Sequence, residues 1–218
     1  MRLPALVLLA ASALLTLTGC PKKPAVPNES IPLTEGVVRA GVYTHPGFGW
    51  SMKIPDGWRV KTKDEVSATR QKGLDAVQKN VDGPIDMTST IELLYMQRDQ
   101  FNQFTSTADA FDPAKDGSYA DNQQDLVQVI LKTYADTGMK VRHELRTEVI
   151  GGVKFNVMDA TLLSPDGEKV ILHQRMYDAL FGTRSLTVSL NWNNDTARDA
   201  LVQAWSASTF STPSAPHP

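Results

Sequence analysis

Apolar residues recur along this chain at two different spacings, and the places where one spacing gives way to the other mark its elements. Over residues 48–58, FGWSMKIPDGW, Trp50, Met52 and Ile54 alternate with Ser51 and Lys53. This predicts a half-buried strand ended by the turn chemistry of Pro55-Asp56-Gly57. Over 64–80 the spacing becomes helical, with Val66, Leu74 and Val77 on one stripe and Gly73 weakening it. The run Ile91-Glu92-Leu93-Leu94-Tyr95-Met96 predicts a strand over 90–97 buried on both faces. From 98 to 120 the pattern dissolves into a polar stretch carrying Phe101, Phe104 and Phe111, which reads as loop with short helical turns.

Helical spacing returns over 121–137 through Leu126, Val129, Ile130 and Tyr134, with Gly138 as the stop. A strand meander follows. Over 140–150, Val141, His143, Leu145, Thr147 and Val149 share one face, and Arg142, Glu144, Arg146 and Glu148 share the other, which is expected to be the wet one. Gly151-Gly152 turns the chain into a strand over 153–163, Ser164-Pro165-Asp166-Gly167 turns it into a strand over 169–179, and Phe181-Gly182 leads into a strand over 185–192. Asn194 or Asp195 can cap a last helix over 196–208, with Ala197, Leu201, Ala204 and Trp205 on its apolar stripe. This order predicts an α+β fold, a central antiparallel β-sheet with helices packed on its faces.

The N-terminus has a separate character. Arg2 precedes a largely apolar run over 3–17, then the small residues Thr18 and Gly19 and the cysteine Cys20. That is the pattern of a secretory signal peptide. A bilayer-spanning helix needs about 20 apolar residues, whereas this run is shorter, broken by Pro4 and followed at once by Gly19, Cys20 and Pro21. The end of the run, Leu17-Thr18-Gly19-Cys20, resembles the bacterial lipobox. The resemblance implies recognition of Leu17, Thr18 and Gly19 by a signal peptidase, cleavage before Cys20, and a diacylglycerol on its thiol. One acyl chain anchors marginally at about 0.8 kcal/mol per buried methylene, and two or three hold durably. Cys20 is the sole cysteine, so no intramolecular disulfide forms.

Pro21, Pro24, Pro27 and Pro32 make the next stretch a tether. The chain therefore divides into a signal peptide (1–19), a lipidated N-terminus and tether (20–36), one α+β domain (37–210) and a disordered tail (211–218). The expected location is the bacterial cell envelope, lipid-anchored on the periplasmic face of a membrane or at the cell surface.

Charge narrows the function. The net charge is −2, and since Arg2 is one of 22 cations, its removal leaves 21 against 24 acids, or −3. Lysine and arginine are scattered rather than banked, which argues against nucleic acid as partner. His45, His143, His173 and His217 include no closely spaced pair, so no metal site and no cofactor are expected. Asp159 is a carboxylate amid Phe155, Val157, Thr161 and Leu163, and a buried acid is shifted unless paired. It faces His173 only if the hairpin puts Leu163 opposite Lys169; a one-residue shift pairs Asp159 with Leu172 instead and gives the cleaner apolar face. No G-x-S-x-G elbow is present, and Gly151-Gly152 leads into a strand rather than a helix that could cradle phosphate. Trp50, Trp58, Trp192 and Trp205 fit core packing, while Phe101, Phe104 and Phe111 are the candidates for a contact surface.

Three phrases carry a further resemblance: FGWSMKIPDGW, GVKFNVMDATLLSPDGEKVILHQRMY, and the closing helix with SASTF. Over roughly 42–210 they resemble the bacterial DcrB-like and PsbP-like group, which implies an α/β/α sandwich around an antiparallel sheet. The group implies a binding, assembly or stabilising module with no catalytic motif. Three readings follow in descending order. The first is a non-catalytic, lipid-anchored protein that binds or stabilises another envelope component. The second is a small-molecule or cation-binding lipoprotein using Asp159 and His173. The third is a cryptic hydrolase.

Overall fold

The computed structural model describes residues 36–67 and 90–211. The predicted signal peptide, Leu17, Thr18, Gly19, Cys20, most of the tether and nearly all of the tail lie outside the described residues. So does the helix predicted over 64–80 beyond its helical start at 63–67.

The elements are β1 (Val37–Arg39), β2 (Val42–His45), β3 (Trp50–Lys53), β4 (Arg59–Val60), β5 (Ile91–Gln97), β6 (Gln103–Ala110), helix α1 (Tyr119–Asp136), β7 (Lys140–Ile150), β8 (Val153–Leu163), β9 (Val170–Phe181), β10 (Arg184–Trp192), helix α2 (Asp195–Ser206) and β11 (Thr209–Phe210). A single helical turn, Pro113–Asp116, precedes α1. The strands form two antiparallel sheets, β1-β2-β3-β11 and β4-β5-β6-β10-β9-β8-β7. The α+β class expected from the sequence is therefore the one observed, with a second, smaller sheet as part of one covering layer.

Side-chain alternation divides the large sheet into two faces. Phe104, Phe155, Val157, Tyr177, Leu186, Val188, Leu190 and Trp192 point to one face, against the small sheet and α2. Met158, Ala160, Leu162 and Met176 point to the other, against Leu126, Ile130 and Tyr134 of α1. Both helices begin where their caps allow: the Ser118 side chain accepts from Asp121 N–H at 3.1 Å, and Asn194 Oδ1 accepts from Ala197 N–H at 3.0 Å.

Trp205 is the hub of the first face. It is fully buried, and its ring meets those of Tyr177, Phe155, Trp50, Phe210 and Phe104 at centroid distances of 5.2, 5.3, 5.8, 6.0 and 6.1 Å. These rings come from β9, β8, β3, β11 and β6, so one helical side chain ties both sheets together. Trp50 Nε1 also donates to Ser208 Oγ at 3.3 Å.

Three expectations are corrected. The polar 98–120 segment is not mainly loop, because it contains β6, a central strand between β5 and β10. Its small side chains are buried without being apolar: Ser106 Oγ accepts from Leu94 N–H at 2.9 Å and donates to Leu94 O at 3.1 Å, filling a register shift in β5 between Glu92 and Tyr95. Hydrophobicity could not reveal a strand made buriable by hydrogen bonds.

The β7 faces are also reversed in part. Arg146 and Glu148 lie on the face that carries Val157 and Tyr177 and keep only 30% and 27% of their side chains exposed, whereas Leu145 and Val149 are 56% and 65% exposed. The charged face gains an ion-pair partner, Asp159, from β8 and a hydroxyl donor, Tyr177, from β9. The apolar face runs past the end of the cover that α1 provides.

Finally, the β8–β9 hairpin closes in neither weighed register: Asp159 pairs with Arg175, Thr161 with His173 and Leu162 with Leu172, with a shift before Leu163 opposite Val170. The bulge absorbs the turn residues and lets the interior alternation run on. Replacing Trp205 by Ala should cost about 3–5 kcal/mol in urea unfolding, while Val170→Ala, at an exposed position, should stay within about 0.5 kcal/mol.

Candidate functional site

On the α2 face, Asp159 sits in a network rather than a vacancy. Its Oδ2 accepts from Arg146 Nε at 3.0 Å and its Oδ1 from Arg175 Nε at 2.5 Å. Arg146 Nη1 reaches on to Glu148 Oε2 at 2.6 Å, and Tyr177 Oη donates to the same oxygen at 3.4 Å. Burial works against the Arg146 charge, but the bonds to Glu148 and Asp159 outweigh it and raise its pKa. Two arginines against two carboxylates close this cluster electrostatically.

His173 is a diagonal neighbour of Asp159 on the same face, not its partner. It stacks on Trp192 with centroids 5.7 Å apart and planes at 14°, and its Nδ1 lies 3.3 Å from Thr161 Oγ1. Arg175 covers the same Trp192 ring at 5.8 Å. Asp159 and His173 thus share a neighbourhood, but each is already engaged.

The three phenylalanines do not form one surface. Phe104 is sealed in the core, Phe111 is buried edge-on against Tyr119 at 5.5 Å, and Phe101 alone is 40% exposed. Because 103–110 is a strand, alternation sends Phe104 inward. Phe101 rides on a turn in which Asp99 Oδ1 accepts from the N–H groups of Phe101 at 2.9 Å and Asn102 at 3.0 Å.

The opposite face holds what sequence reasoning missed. Between α1 and strands β7, β8, β9 and β10 lies a cavity of about 400 Å³. Leu126, Val127 and Ile130 of α1, with Leu145, Met158 and Met176 of the sheet, form its apolar wall. Asn156, Thr187 and Asp178 border it on the sheet side, and Gln123 and Gln124 on the helix side.

Asp178 is the unusual group. It is 5% exposed; its Oδ2 accepts from Thr187 Oγ1 at 2.5 Å, and its Oδ1 has no hydrogen-bond partner among the described residues. Burial pushes its carboxyl up to about 7, the Thr187 hydroxyl works against that, and the nearby charge of Asp109 on β6 adds to it. The signal for it was present: Asp178 stands between Tyr177 and Ala179 in a strand pattern, the same anomaly that drew attention to Asp159. Register decides which of the two finds arginines, and the sequence does not fix register at that hairpin.

Among the described residues no three His, Cys, Asp or Glu side chains gather as a metal site, and no helix is long and apolar enough to cross a membrane. No family model matches the chain, and no curated protein matches it. Among solved structures the chain is similar to the solution structure of cyanobacterial PsbP (CyanoP) from Synechocystis sp. PCC 6803. The two are 10% identical, the match covers 86% of this chain and 98% of that one, and the TM-score is 0.48. At that identity and score the likeness assigns neither a function nor a residue to this chain.

The sign of the Asp178 effect on stability follows from which state ionises first. The unfolded carboxyl loses its proton near 3.8 and the folded one near 7. Its stabilising contribution is thus complete below about pH 4 and lost as pH rises through 7, a change on the order of 4 kcal/mol. Asp178→Asn should therefore be more stable than the wild type at pH 8, with the difference shrinking toward pH 4; urea midpoints of both proteins across this range check it.

Proposed function

We propose that this chain is a lipid-anchored, non-catalytic protein of the bacterial envelope whose β-sheet domain docks on another envelope protein. The observation that carries the reading is the edge at β7, which has no outer strand among the described residues. It is 11 residues long, ends the seven-stranded sheet, and presents Leu145 and Val149 at 56% and 65% exposure. Long edge strands with exposed apolar side chains are templates for association, and native proteins ordinarily blunt them. The charges of β7 lie on the other face: Lys140, Arg142 and Glu144 stay exposed at its start, while beside Leu145 and Val149 the charges of Arg146 and Glu148 are bound to each other and Arg146 to Asp159. An extended partner segment could add main-chain hydrogen bonds along β7 and cover Leu145 and Val149 with its own alternate side chains.

The anchor supports the same reading. A diacylglycerol at Cys20, followed by a proline-rich tether, would hold the domain within reach of a membrane-bound partner and raise the local concentration of both.

The test uses the full chain in a bacterial host, with a photo-crosslinking residue placed at position 149 or, as a control, at position 56. The intact chain should fractionate with membranes and give one discrete cross-linked species from 149 and none from 56; Cys20→Ala should leave the membrane fraction and lose that species. Soluble fractionation of both versions would remove the anchor, and equal cross-linking from both positions would remove the docking edge.

A further inference from the structure

The cavity beneath α1 combines three properties that the docking edge does not explain. Its volume of about 400 Å³ lies within the roughly 300–1,000 Å³ of small-molecule sites. Its wall is hydrocarbon and thioether, from Leu126, Ile130, Leu145, Met158 and Met176, and methionine adapts to ligand shape better than branched side chains do. At its polar border is Asp178, one of whose carboxylate oxygens, Oδ1, is buried and accepts nothing among the described residues.

The charge of the site points one way. Asp178 is the sole carboxylate in the wall among the described residues, and Asp109 on β6, beyond β10, adds a second negative charge. Arg146 contributes to the wall, but its guanidinium lies on the opposite face, bound to Asp159 and Glu148. Gln123, Gln124, Thr147, Asn156 and Thr187 are neutral. A bound anion would face this field with no cation to offset it. A neutral donor would satisfy Oδ1 but leave the buried charge uncompensated. An ammonium group does both, donating to Oδ1 and neutralising the carboxylate in one charge-assisted bond.

We propose that this cavity binds a small amphiphilic cation, its ammonium group hydrogen-bonded to Asp178 Oδ1 and its hydrocarbon part lying against Met158, Met176, Leu126 and Ile130. Thr187, which also borders the cavity, holds the carboxylate through Oδ2 and leaves Oδ1 as the oxygen without a partner among the described residues. The binding is reversible, with no bond made or broken beyond the exchange of a proton when Asp178 enters the complex protonated.

The test titrates the full chain, carrying carbon-13 methionine methyls, with three probes of equal chain length: n-hexylammonium, n-hexanol and n-hexanoate. Hexylammonium should shift the Met158 and Met176 methyl signals saturably and leave Met52 and Met96, which belong to the other core layer, unmoved. Hexanol should bind at least about tenfold more weakly and hexanoate should not bind; Asp178→Asn should weaken hexylammonium by about tenfold or more while leaving hexanol unchanged. Equal response to hexylammonium and hexanoate, or no saturable shift at Met158 and Met176, would overturn the proposal. That comparison is read on the unaltered chain, so it decides the matter even if Asp178→Asn does not fold. Leu145 borders both the cavity and the β7 edge, but the methyl shifts of Met158 and Met176 and the cross-link from position 149 are separate readouts.

Discussion

The contact on which the rest of the structure depends is the insertion of Trp205 between two sheets. The small sheet has strands of only two to four residues, too short to hold a sheet by main-chain hydrogen bonds alone. It persists because Trp50 and Phe210 are clamped against Trp205, and Trp205 in turn against Phe155, Tyr177 and Phe104. Aromatic packing of this kind adds edge-to-face attraction to a large burial of apolar area. With that layer fixed, the other face of the large sheet is covered among the described residues by α1 over β7 to β10 and, through Val66, by the helical start at 63–67 beside β5 and β6. The cavity lies where α1 crosses the sheet.

The two faces treat acids in opposite ways. Asp159 stands at a half-open position with two arginines on it, so its charge is compensated and its geometry fixed. Asp178, two strand pairs from the edge, is buried against a threonine and a second acid. A fold selected only for stability would place an amide or an aliphatic side chain there, since a lone buried carboxylate costs free energy at neutral pH. An acid of that kind beside an apolar cavity is better accounted for by what it can bind than by what it holds together.

The sequence shows its elements unevenly. Strands with regular alternation or a firm turn, such as β7, β8 and β10, and helices with caps and stripes, α1 and α2, are legible from spacing. β6 is not, because its side chains Thr105, Ser106 and Thr107 are polar yet buried, Ser106 through hydrogen bonds to Leu94 and the threonines by their small size, and no hydrophobic scale marks that. The β8–β9 register also escaped, since a bulge next to Leu163 breaks the assumption of uninterrupted pairing. The longer turn, with Leu163 opposite Val170, and that irregularity together place Asp159 opposite Arg175 rather than Leu172 or His173. Phe104 misled for a related reason: read in a loop it looked like an anchor, and in a strand it is core. Asp178 was visible as an acid in an apolar strand, but its significance needed α1 overhead to make a cavity.

The closure of the small sheet has a temporal consequence. Trp50 and Ser208, joined by a hydrogen bond, are 158 residues apart, and β3 has β11 as its outer neighbour. A chain made from its amino end therefore synthesises Phe48, Trp50 and Met52 long before the segment that seals them exists. Until 209–210 emerges, this layer has no lid and the native state cannot be reached, so contacts this distant in sequence slow folding. Under the envelope role proposed above, which requires passage through a membrane unfolded, such lateness would be an advantage: the order of its strands would keep the chain pliable during passage.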